Sequence, residues 1–82
     1  MNKIINRNDL FNGIYDYHAG SPTSTEVLER AGIEEPTEEM ERLVCEADRA
    51  ITDIWSDEDS NEDSADDAVY EYVDQIIALA NA

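Results

Sequence analysis

Eighty-two residues carry 21 acids against five Lys or Arg, a formal charge of −16. A chain of this length makes one small domain, residues 1–82, whose core supplies only a few kcal/mol of net stability, and 41% hydrophobic residues are enough to fold it. The charge excludes direct binding to nucleic acid or to anionic membranes, because both attract cations.

Along the chain, Lys3-Ile4-Ile5 is short and ambiguous. Asn8 is a good N-cap for a first helix over about 9–18, with Leu10, Phe11, Ile14 and Tyr17 on its apolar side and Gly20 just past its end. Gly13 weakens that helix, and Gly20-Ser21-Pro22 is a turn. Thr23-x-x-Glu26 has capping-box spacing and opens a short helix through Ala31, stopped by Gly32. Val27, Leu28 and Ala31 are all that this helix offers to a core. Glu34-Glu35-Pro36 breaks the chain again, and Thr37 caps a third helix over about 38–55.

The third helix carries the clearest signal. Met40, Leu43, Val44, Ala47, Ile51, Ile54 and Trp55 recur at steps of three and four, which at about 100° per residue fills one stripe roughly 140° wide. Ser56 to Ser64 is too charged to pack. Ser64-x-x-Asp67 resembles a capping box for a last helix over about 65–80, with Val69, Tyr72, Val73, Ile76 and Ala80 on its stripe. Tyr70, Ile77 and Leu79 widen that stripe to roughly 200°, so the helix either sits centrally or lends part of its face to an interface. The expectation is an all-α fold: a small bundle of three to four helices with an acidic loop before the last helix.

The charge is uneven. Residues 1–25 balance, residues 26–49 carry −6 and residues 50–82 carry −10, with no Lys or Arg after Arg49. Between Asp53 and Asp67, eight of fifteen residues are carboxylates. A surface kept merely soluble mixes both signs and needs a net charge of only about 2–8. Crowded like charges also weaken the compact state, so this excess points to a strongly basic partner. The candidate partner-binding residues are Asp53, Asp57, Glu58, Asp59, Glu62, Asp63, Asp66 and Asp67, with Glu71 and Asp74 on the polar side of the last helix. Glu38, Glu39, Glu41 and Glu46 form a second row. Tyr70 is either an anchor at the rim or, the favoured reading, a packing residue.

Catalysis has no visible basis. His18 and Cys45 are the only residues of their kinds and lie far apart in sequence. His18 suits the C-terminal end of the first helix dipole, and Cys45 falls on the polar side of the third helix as a partly exposed thiol. A lone cysteine excludes an internal disulfide and fits a reducing compartment. Neither a signal peptide nor a membrane span is visible, so the expected location is cytoplasmic. No cofactor is implied, and no metal. Asp57, Asp59 and Asn61 match the first ligands of an EF-hand loop, but Glu62 replaces its glycine and Ala68 its bidentate acid. Acyl carrier proteins are similar in length, charge and helix count, yet their Asp-Ser-Leu motif has only Asp63-Ser64-Ala65 as a counterpart here, before the wrong helix.

In size, charge and helical character the whole chain resembles the DNA-mimic proteins, many of them small phage-encoded inhibitors of restriction enzymes, CRISPR–Cas effectors or repair enzymes. That resemblance implies an inhibitor and not an enzyme. It would occupy the basic DNA-binding site of its target in the host cytoplasm, so that duplex cannot enter; repulsion between copies at −16 points to a monomer. The alternative is an acidic interaction module or chaperone for a basic protein.

Overall fold

The computed structural model describes residues 5–20, 23–57 and 62–81. Four α-helices make up the fold, and among the described residues there is no strand. The expected all-α bundle is therefore what the chain forms.

Helix α1 (Arg7–His18) starts two residues before the expected position. Its N-cap is Asn6, whose side chain accepts from the Asp9 amide at 3.0 Å. Two asparagines compete for this role, and a distant contact selects the first: the Asn6 amide donates to the Ala31 carbonyl at 3.0 Å. That bond holds Asn6 extended, as an N-cap must be. Gly20, at φ +97°, turns the chain after the helix in a conformation that side chains resist.

Helix α2 (Ser24–Arg30) begins where the capping box places it, with Thr23 accepting from the Glu26 amide at 3.2 Å. It ends in a Schellman turn built on Gly32 at φ +102°. The Gly32 amide donates to Glu29 and the Ile33 amide to Leu28, so Ile33 folds back into the core. The expected Val27, Leu28 and Ala31 are all buried. Ile33 is a fourth buried residue, supplied by the turn and not by the helix.

Helix α3 (Glu38–Trp55) has the expected bounds, with Thr37 accepting from the Met40 amide at 3.3 Å. Its stripe buries Met40, Leu43, Val44, Ala47 and Ile51. Trp55 departs from expectation: it is 53% exposed. The stripe carries Trp55 to the final turn of the helix, where its ring lies beside Tyr15 and His18 of α1 instead of under them.

Helix α4 (Glu62–Ala80) starts three residues early, so Ser64 sits inside its first turn and is not the cap. The early start brings Ala65 into the buried set with Val69, Val73 and Ile76. Tyr72, Ile77, Leu79 and Ala80 are half-buried against the same core. α4 packs on both α3 and α1, and two neighbours account for the width of its apolar arc, although α1 and α3, each touching three helices, are the central ones.

Gly13 has a specific reason to be a glycine. A Cβ there would lie 2.9 Å from Val27 Cγ1, so α1 and α2 cross at a distance only glycine permits.

Candidate protein-binding surface

Neither acid nor base is buried among the described residues. Burying an unpaired charge is prohibitive, so with 21 carboxylates and few cations the acids spread over the outside of the bundle. The three arginine pairs at hand are exposed: Arg7 with Asp74 at 2.9 Å, Arg30 with Glu26 at 3.4 Å and Arg42 with Glu39 at 3.9 Å. Pairs of this kind are worth little individually and leave the negative potential of the body in place.

The two halves of the predicted site meet at one end of the α3–α4 pair. α3 and α4 run antiparallel, with Leu43 beside Leu79 at one end, so the last turn of α3 lies next to the first turns of α4. Asp53 and Asp57 are exposed there, and so are Asp63 and Asp67 across from them, with Glu71 following one turn later. Spacing of four residues puts Asp63, Asp67 and Glu71 on one side of the helix, about 5–6 Å apart at their Cβ atoms. Glu58 and Asp59 lie outside the described residues, as does the side chain of Glu62. The calcium comparison rests largely on that same segment.

Two predicted residues are engaged inside the molecule. The Tyr15 phenol donates to Asp66 Oδ1 at 2.7 Å, across 51 positions of sequence. Arg7 Nε and Nη2 donate to the two Asp74 oxygens at 2.9 and 3.2 Å. The Arg7 guanidinium also lies 4.4 Å from the Tyr70 ring centroid, and Tyr70 stacks on Phe11 at 4.4 Å. Asp74, chiefly through its hydrogen bond, holds the Arg7 pKa above an already basic ordinary value. Tyr70 is thus a packing residue, half-buried under Arg7.

These contacts form a ladder. Arg7, Phe11 and Tyr15 advance by four along α1, while their partners Asp74, Tyr70 and Asp66 retreat by four along α4. Antiparallel helices meeting along their i, i+4 ridges produce this register. Beyond Tyr15 the aromatic strip continues to Trp55, with centroids 6.1 Å apart, and Trp55 meets the His18 ring edge-on at 5.0 Å. His18 Nδ1 lies 2.7 Å from Asp48 Oδ1, a partner on α3 that a purely helix-end role for His18 would not require.

The second row is broken. Glu41 accepts from Ser24 Oγ at 3.2 Å and from Thr25 Oγ1, pinning α2 to α3. Glu39 and Glu46 rim an open groove of about 400 Å³ floored by Leu43 and Leu79, with Arg42 between them. A cation in its middle makes this row a poorer counterpart for a basic surface than the end holding Asp53, Asp63 and Asp67. Cys45 is exposed as expected, and its Sγ lies 3.3 Å from the Tyr17 hydroxyl. That contact, followed by burial, raises the Tyr17 pKa above its ordinary value of 10.0.

Among the described residues no group of three metal-ligating side chains converges, and no helix there is long and apolar enough to cross a membrane. Compared with known proteins, the chain matches no family model, no curated protein and no solved structure.

Proposed function

We propose that this protein is a non-catalytic inhibitor that mimics DNA, presenting carboxylates to the basic DNA-binding site of a CRISPR–Cas effector, restriction enzyme or repair enzyme. One observation carries the reading: a body of 44 × 21 × 19 Å bears 21 carboxylates, with none of the described ones buried. A duplex has one charge per roughly 1.7 Å of axis. Over the 44 Å length of this body it would carry on the order of 26 phosphates, a density that the carboxylates approach. Helices hold most of the described carboxylates in place, so binding avoids the cost of bending a duplex, and the net charge draws a basic groove from a distance.

The exposed contacts in this reading are Asp53, Asp57, Asp63, Asp67 and Glu71. Asp66 and Asp74 contribute charge while bonded to Tyr15 and Arg7. The protein acts alone, since two copies at −16 repel. The test adds it in stoichiometric amounts to DNA-binding enzymes of these classes with labelled duplex. Displacement of duplex without any cleavage or modification of the protein's target is the expected result. Unaltered duplex binding, with tight binding to a histone-like or ribosomal protein, would replace this reading with that of an acidic chaperone.

A further inference from the structure

The aromatic strip on α1 ends differently at its two ends. At the Tyr70 end, a guanidinium covers the ring at 4.4 Å and donates to a carboxylate beside it. At the Trp55 end the ring is 53% exposed, and among the described residues no Lys or Arg lies over it. Indole is the best aromatic face for a cation. Each of its two ring neighbours carries a carboxylate: Tyr15 is bonded to Asp66 and His18 to Asp48. Each uses Oδ1 in those contacts, so Oδ2 can accept from a further donor. Neither is buried. An exposed indole with a carboxylate on each ring neighbour is therefore present, without a guanidinium.

Resting on the basic-partner reading above, we propose that Trp55 seats an arginine side chain of the partner. The guanidinium stacks on the indole and donates to Asp66 or Asp48, repeating between two molecules what Arg7, Tyr70 and Asp74 do within one. Arginine fits better than lysine because its planar fork both stacks and donates in two directions. Charge complementarity selects this occupant over a second copy of the chain, which would bring −16 to the same place. Tryptophan and arginine are also among the residues enriched at interface hot spots.

Trp55 is the only tryptophan, so its emission reports on this position alone. The full chain is titrated at low salt with capped decaarginine and decalysine peptides, reading indole emission for wild type and affinity by calorimetry for wild type, W55F and W55A. A Glu34→Gln/Glu35→Gln variant serves as a charge control away from the ring, and circular dichroism confirms each fold. Decaarginine should shift the emission and bind more tightly than decalysine. W55A should weaken decaarginine binding by about 3- to 30-fold, W55F by less, since a smaller ring remains. The charge control should weaken both peptides alike. Decaarginine affinity in W55A equal to wild type, or wild-type emission unmoved by bound decaarginine, would overturn the Trp55 seat while leaving the basic-partner reading standing. No binding of either peptide to any variant would overturn both. Loss of self-association in W55A, seen by sedimentation, would assign the ring to a second copy and also overturn the proposal.

Discussion

Tyr15 and Asp66 are joined by a 2.7 Å hydrogen bond from phenol to carboxylate that ties α1 to the first turns of α4. It closes a ladder whose other rungs are Phe11 on Tyr70 and Arg7 on Asp74. Hydrogen bonds to charged acceptors are the stronger kind, though this one is only half-buried. Tyr15→Phe should therefore destabilise by about 1 kcal/mol, a fall in Tm of roughly 4–8 °C for a domain this size. An unchanged Tm would mean that water replaces the phenol without loss.

The Gly13–Val27 crossing makes an unusual demand. Alanine normally improves a helix interior by about 1 kcal/mol over glycine. Here the added methyl meets Val27 Cγ1 at 2.9 Å, and a β-branched side chain in a core has little room to turn. Gly13→Ala should destabilise by about 1–3 kcal/mol. Combining it with Val27→Ala should cost less than the two single changes added together, because one removes the other's clash. Additive costs in a denaturation cycle would contradict the close approach.

Stability should fall at high pH partly through Tyr17. Its pKa is raised, first by the hydrogen bond to Cys45 and then by burial, so the folded state favours the neutral phenol. That contribution is complete below the ordinary tyrosine value of about 10 and disappears as pH climbs through the higher folded value. Tyrosinate absorbance should show one phenol ionising late, and Cys45→Ala should bring it back toward the ordinary value. An identical titration in the variant would remove Cys45 as the cause.

Sodium chloride should stabilise the free protein. Its 21 acids outnumber its Lys and Arg by 16, and the arginine pairs are exposed, so screening relieves more repulsion than it loses attraction. Tm should rise between low salt and about 0.15 M, where the Debye length is about 8 Å. A falling Tm would mean that pairs such as Arg7–Asp74 dominate.

Much of the fold is visible in the sequence wherever a signal is local. The α3 stripe, the Thr23 and Thr37 caps and the stop at Gly32 each lie within a few residues of what they determine. Failures arise where a distant partner decides. Asn6 and Asn8 are equivalent caps until Ala31 selects one. Trp55 fits the angular pattern of the stripe, but that pattern cannot reveal that the ring ends beside α1 and not beneath it. The same limit applies to the site. Composition identifies the acidic end of the α3–α4 pair. It cannot separate Asp66 and Asp74, bonded to α1, from Asp63, Asp67 and Glu71, which are exposed. The i, i+4 spacing of Arg7, Phe11 and Tyr15 and of Asp66, Tyr70 and Asp74 is present in the chain, but only the fold pairs the two sets.

That distinction supplies the most direct measurement. Asp53, Asp63, Asp67 and Glu71 are exposed and take no part in the ladder. Changing them to Asn, Asn, Asn and Gln removes charge from the binding end and keeps Asp66 and Asp74 in place. Tm should change little, since relieved repulsion offsets the loss of Asp63 near the positive end of the α4 dipole. In a duplex-competition assay with the target enzyme, the variant should lose most of its potency, chiefly through slower association. Undiminished inhibition by a folded variant would contradict the account, because the acidic end of the α3–α4 pair would then not be the surface that meets the target.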